Sequence, residues 1–130
     1  MSKILVAAAV VRRNDCVLLC QRPLHKRHGG LWEFPGGKLH SGETLTDGLR
    51  RELREELLVD VVSTGATLLI EHDRDSPFEI HFITTEIAGE PFAQEHDRIE
   101  WVPIASCDQY PLAPSDRAFV ERYFRQENPE

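Results

Sequence analysis

Residues 45–57, LTDGLRRELREEL, constrain the chain more than any other stretch, because their pattern fits one regular conformation. Leu45, Leu49, Leu53 and Leu57 recur at every fourth position, and at roughly 100° per residue this draws an apolar stripe down one side of an α-helix. Thr44 is a good N-cap, with Asp47 three residues on in the first turn. Beside the stripe, Glu52, Glu55 and Glu56 fall within about a third of the helix circumference. Like charges three and four residues apart cost an isolated helix about 0.2–0.5 kcal/mol per pair. A cation on this face offsets that cost, and carboxylates without accompanying His or Cys suit a hard dication such as Mg²⁺. Taken alone, the E-x-x-E-E string also fits a plain solvated acidic face.

The rest of the chain reads as short strands and turns. Two apolar runs, residues 4–12 and 16–21, flank the turn residues Asn14-Asp15 and are predicted to pair as strands. Residues 25–30 are basic and end in two glycines, a loop before a third short strand at 31–34 closed by Pro35-Gly36-Gly37. β-rich runs follow at 61–70 and 78–87, with a turn at 73–77 between them and Gly89-Glu90-Pro91 closing the second. A further strand is predicted at 98–102, a helical turn at 103–109, a loop at 110–114, and a last helix at 114–126 with Phe119, Val120 and Tyr123 on one side. This order predicts one α+β domain over residues 1–130, a mixed β-sheet sandwiched between helices.

Charge and cysteine content exclude several function classes. With 22 acidic against 15 basic side chains and a net charge of −7, the chain lacks the basic surface that nucleic acid or anionic lipid requires. A phosphorylated substrate would be repelled too, unless a metal ion or a local basic cluster bridged the two. Cys16, Cys20 and Cys107 form no CxxC pair, so neither a disulfide framework nor a zinc site is expected, and a reducing, cytoplasmic setting fits. The apolar run at 4–11 is followed by Arg12 and Arg13 rather than by a cleavage region, which argues against an export signal. No stretch reaches the roughly 20 apolar residues of a membrane helix.

Around the acidic helix lie Gly37, Glu43 after five intervening residues, and Arg51-Glu52-Leu53 with Glu55-Glu56 after seven more. This set resembles the box of the Nudix hydrolases, Gly, five residues, Glu, seven residues, Arg-Glu-apolar-any-Glu-Glu. It matches at every one of those positions. One departure is Leu58, where the box has glycine two residues after the Glu pair; glycine suits a left-handed helix end, whereas leucine there costs about 1–2 kcal/mol. The helix is therefore expected to end differently.

The resemblance implies the Nudix fold and hydrolysis of a nucleoside diphosphate linked to another group. It implies Glu52, Glu55, Glu56 and the Gly36 carbonyl as ligands of Mg²⁺, for which Mn²⁺ can substitute, with Glu52 foremost in deprotonating the attacking water. Glu43 and Arg51 are expected to form an ion pair that orients the helix. Likeness to the MutT-like branch extends over Trp32 to Lys38 and over Tyr110 to Asp116, the latter closest to the bacterial CTP pyrophosphohydrolase subgroup. The same likeness makes Glu95 a metal ligand outside the box, with a solvated loop acid as the alternative. It implies conversion of a (d)NTP to (d)NMP and pyrophosphate, sanitising the nucleotide pool against 8-oxo-dGTP or acting on CTP, dCTP or their modified forms. The alternatives are an ADP-ribose or dinucleoside polyphosphate hydrolase and a catalytically silent binding module. Asp116 stands where MutT has a base-reading Asn; as a carboxylate it only accepts hydrogen bonds, so it fits the amino groups of cytosine or guanine, or else serves as a first-turn acid of the last helix. Phe34 fits either a base-stacking or a core position, and Arg22 and Lys38 are candidate phosphate contacts. The expected partner is a small nucleotide, the expected assembly a monomer or homodimer.

Overall fold

The computed structural model describes residues 3–127. Along the chain run strands β1 (Ile4–Val10), β2 (Arg12–Arg13), β3 (Cys16–Gln21), β4 (Trp32–Glu33) and β5 (Gly36–Lys38), helix α1 (Leu45–Leu57), and strands β6 (Asp60–His72), β7 (Phe78–Ala88) and β8 (Arg98–Pro103). A 3₁₀ turn (Ile104–Gln109) leads to α2 (Pro114–Phe119), which passes through a π-helical turn (Val120–Phe124) into α3 (Arg125–Glu127).

Two sheets, one mixed and one antiparallel, form the centre. One has the order β5-β1-β7-β6, in which β1 lies parallel to β7 while β5 and β6 run antiparallel to their neighbours. The other is built on β3, with β8 along one edge and β2 and β4 along the other. Alternation decides which side each residue serves. Ala8 and Val10 join Phe82, Phe119 and Phe124 under the C-terminal helical segment, whereas Ala7, Ala9 and Val11 join Leu49, Leu53 and Leu57 of α1. The expected α+β arrangement, sheet between helices, is the one observed. Leu49, Leu53 and Leu57 are fully buried, and the Thr44 hydroxyl accepts the Asp47 N–H at 3.1 Å, so both the stripe and the cap behave as the sequence predicts.

Four local expectations are corrected. The runs at 4–12 and 16–21 do not form one hairpin: only Arg12 and Arg13 pair with β3, because β1 turns into the other sheet to meet strands distant in sequence. Gly36 and Gly37 do not close a strand but make one, β5, against β1; Gly36 adopts φ 148°, and a side chain there would drive into the Ala7 carbonyl. The last helix widens into the π turn rather than running regularly from 114 to 126, which brings Phe124 as well as Val120 into the core. Leu58 does not divert the helix end. It adopts φ 59° and ψ 36°, the left-handed cap that glycine normally fills, and its N–H donates to the Arg54 carbonyl at 3.2 Å. The two carbonyls before it are satisfied by the loop that follows β7: Phe92 N–H donates to the Leu57 carbonyl at 2.9 Å and Gln94 N–H to the Glu56 carbonyl at 3.0 Å.

Candidate metal and nucleotide site

Helix α1 carries its carboxylates to the β5 edge of the β5-β1-β7-β6 sheet. Arg51 organises them. Its Nε and Nη2 donate to both oxygens of Glu43 at 2.7 and 3.0 Å, Nη2 also reaches the Lys38 carbonyl at 3.0 Å, and Nη1 donates to Glu52 Oε1 at 2.6 Å. A longer contact of 3.4 Å links Nη1 to Glu55, which is otherwise exposed. The expected ion pair between Glu43 and Arg51 is thus present, and it ties α1 to β5. Two-point donation from the guanidinium holds the Glu43 carboxyl down at about 2. Glu52 packs against Gly37, where a Cβ would come within 2.6 Å of its carboxyl carbon.

Glu56 is different in kind. It is 7% exposed, and its Oε1 is buried without a hydrogen-bond partner. Burial, reinforced by the carboxylates of Glu52, Glu33 and Glu95, pushes its pKa up to about 10. An ionised carboxylate buried without a donor is costly, so the group keeps its proton unless a cation meets it. That oxygen and the all-carboxylate donor set fit a hard divalent ion held by Glu52, Glu55 and Glu56. Among the described residues no three acidic, His or Cys side chains are gathered closely enough to hold a metal as they stand, since Arg51 engages Glu52 and reaches Glu55. Glu95, exposed in the loop after β7, is near enough for its charge to act on Glu56.

From Gly36 and Gly37 a cleft of about 420 Å³ runs between the β5-β1-β7-β6 sheet and the start of α2, ending at Ser115 and Asp116. Arg22, Phe34, Lys38 and Asp116, singled out in the sequence, all line it. Their engagements differ. Phe34 is buried in the core, edge-on to Phe82, Phe119 and Phe124, so its core reading accounts for most of the ring. Arg22 donates to Glu33 Oε1 at 2.9 Å and to the Arg27 carbonyl at 2.7 Å, while Lys38 Nζ sits 5.0 Å above the Phe78 ring. Asp116 accepts the Phe34 N–H at 2.9 Å. It lies in the first turn of α2, where Ala113 is the N-cap. Burial and the nearby Glu33 charge raise its pKa well above the usual carboxylate range. Sequence reasoning passed over Glu33, Arg27, His28 and Asp73, which also line the cleft, and the buried His96, which stands behind Glu56. None of them belongs to a spaced motif that periodicity could have flagged.

A family model described as the NUDIX domain matches residues 3–123. The chain belongs to the Nudix family. It is 35% identical over 127 residues to the CTP pyrophosphohydrolase of Escherichia coli (strain K12), covering 95% of this chain and 93% of that protein. It is 31% identical to an 8-oxo-dGTP diphosphatase of Haemophilus influenzae, with 95% and 94% covered. Among solved structures, the E. coli ORF135 protein aligns with a TM-score of 0.83 at 34% identity, over 100% of this chain and 94% of that one. MutT, from a study of the Aliivibrio salmonicida and Vibrio cholerae proteins, aligns at 0.82 and 27% identity, over 96% and 99%. The Nudix fold and a hydrolase of the MutT type, expected from the box, are what these comparisons show. Nudix hydrolases generally use a divalent metal. Among the described residues no helix is long and apolar enough to cross a membrane.

Proposed function

We propose that this Nudix hydrolase is a Mg²⁺-dependent pyrophosphohydrolase that converts a (d)NTP and water to (d)NMP and pyrophosphate, with 8-oxo-dGTP or a cytidine triphosphate as substrate. The observation that carries the reading is the buried, unpartnered Oε1 of Glu56, on the same face of α1 as Glu52, which packs against Gly37 where that glycine lines a nucleotide-sized cleft. Relatives that act on CTP and on 8-oxo-dGTP support the substrate class.

Glu52, Glu55 and Glu56, joined by the Gly36 carbonyl and Glu95, would hold the metal. A Mg²⁺ ion held there would supply charge neutralisation for the phosphate oxygens and acidify the attacking water. The protein's own groups do the rest. Glu52, fixed between Arg51 and Gly37, is positioned to accept the water proton. Glu43 and Arg51 keep α1 at a set distance from β5, so the acids do not drift from the cleft. Arg22, Arg27 and Lys38 supply positive charge along the cleft for the phosphate chain. At the far end Asp116 reads the base. One oxygen is taken by the Phe34 N–H, which leaves the other to accept from an amino group on the base. Cytosine and 8-oxoguanine both present complementary edges. Three free cysteines suit a reducing cytoplasm.

A panel of nucleotides incubated with Mg²⁺ tests the proposal by its products. Release of pyrophosphate from a triphosphate supports it. Turnover confined to ADP-ribose or dinucleoside polyphosphates, or none at all, removes it.

A further inference from the structure

His96 sits between two carboxylates that would otherwise face each other. Its side chain is 6% exposed, and Nε2 lies 3.2 Å from Glu33 Oε2 and 3.8 Å from Glu56 Oε1. The other oxygen of Glu33 is held by Arg22. His96 Nδ1 is buried with no partner, so only the Nε2 edge of this ring engages the carboxylates. The backbone on either side is pinned: Gln94 N–H to the Glu56 carbonyl at 3.0 Å, and Asp97 N–H to the Gln21 carbonyl at 3.1 Å. The imidazole is thus clamped between α1 and β3.

We propose that His96 is a positioning residue that fixes the Glu56 carboxylate for metal binding by standing between it and Glu33. The inference rests on the reading of Glu56 as a metal ligand. The ionised Glu56 carboxylate and the half-buried Glu33 repel without a separating group, and Glu56, whose Oε1 has no hydrogen bond, would swing away or be held less firmly. A ring that donates to Glu33 and fills the gap prevents this. Side chains that orient a metal ligand in this way are typically worth about 10- to 100-fold in metal affinity or activity. The arrangement also joins the ends of the site: Glu33 is followed by Phe34, whose N–H holds Asp116, so the contacts run from the base end of the cleft to the carboxylate helix.

The test uses Mn²⁺ binding to the full-length protein without nucleotide, read from the loss of the free-ion EPR signal, on the wild type, His96→Ala, His96→Gln and Glu52→Gln. Expected is a roughly 10-fold weaker Mn²⁺ affinity for His96→Ala, a change in Tm of less than about 4 °C, and recovery of most of the affinity in His96→Gln, whose amide can still donate to Glu33. In steady-state assays the loss should fall on kcat, with KM for the nucleotide moving less than about threefold. Unchanged Mn²⁺ affinity in His96→Ala overturns the inference while leaving the proposed function standing. So does a folded His96→Gln that binds Mn²⁺ no better than His96→Ala. If the wild type binds Mn²⁺ no better than Glu52→Gln, the assignment of the carboxylate helix as the metal site fails first, and this inference with it.

Discussion

Glu52 and Gly37 are in contact across the gap between α1 and β5, with so little room that a methyl group on Gly37 would come within 2.6 Å of the Glu52 carboxyl carbon. The obstacle is the far end of a side chain rather than backbone, so the fold can absorb the intrusion by moving the carboxylate. Gly37→Ala should therefore leave Tm nearly unchanged yet lower kcat by about tenfold or more, because Glu52 loses its position. Gly36→Ala is the contrasting case: φ 148° and the Ala7 carbonyl forbid the side chain, and the β5–β1 pairing should weaken with a clear fall in Tm. Thermal melts and steady-state kinetics on the pair separate the two effects.

Glu52→Gln keeps the shape and removes the charge. A fall in kcat of about 10²- to 10⁴-fold is expected, with an unaltered far-UV circular dichroism spectrum and a melting curve close to that of the wild type. Activity near the wild-type level would show that another group takes the water proton.

Leu58 carries strain without burying much in return, being 57% exposed at φ 59°. The cap is kept because the Phe92 and Gln94 N–H groups hold the last carbonyls of α1, and because Val59 and Val61 must turn inward immediately afterwards. Relieving about 1–2 kcal/mol of left-handed strain outweighs the extra unfolded-state freedom of glycine. Leu58→Gly should gain about 1 kcal/mol, raising Tm by roughly 4 °C with kcat unchanged. A drop in denaturation midpoint would mean that the leucine makes contacts worth more than its strain.

How much of this could be read beforehand depends on how far each determinant lies along the chain. Helix α1 was legible to the residue, since the Thr44 cap, the leucine stripe and the carboxylate face are all local. The β6–β7 hairpin was legible for the same reason, with turn residues between two β-rich runs. The partner of β1 was not: its register with Phe78 to Thr84 is a tertiary choice that the turn at Asn14-Asp15 hides, because that turn does make a hairpin, though only of Arg12 and Arg13. Gly36-Gly37 resembles a loop in composition, and only the close approach of Ala7 reveals a strand that has no room for side chains. Within the candidate site the box residues announced themselves by spacing. His96 and Glu33 did not, because a lone histidine in a loop and an acid in a two-residue strand carry no periodic signal.

The Glu43–Arg51 pair makes stability depend on acid. The Glu43 carboxyl lies at about 2 in the folded protein against an ordinary 4.5, so the unfolded chain takes up its proton first as pH falls. Stability from the pair is present in full above the unfolded value and is lost as pH falls through the folded one. In urea titrations, Glu43→Gln should be the less stable protein at pH 7, and its deficit should shrink as pH falls between about 4.5 and about 2. A deficit that stays constant over that range would mean the glutamate acts through packing rather than charge.

Asp116 decides between two roles by its response to an amide. It is not the N-cap of α2, so Asp116→Asn removes no capping bond, and the amide oxygen can still accept the Phe34 N–H. Stability should therefore change little or rise slightly, because a carboxyl crowded beside Glu33 is replaced by a neutral group. What changes is the edge shown to the base. The wild-type carboxylate accepts from a base amino group, whereas the amide is locked by the Phe34 contact into presenting its NH₂ to the cleft. That favours an acceptor such as O6 of guanine over the amino group of cytosine. The ratio of kcat/KM for 8-oxo-dGTP to that for CTP should rise by about tenfold or more, the value of one good hydrogen bond made or left unpaired. An unchanged ranking across the nucleotide panel would leave Asp116 as a first-turn acid that anchors α2 to Phe34 and takes no part in choosing the substrate.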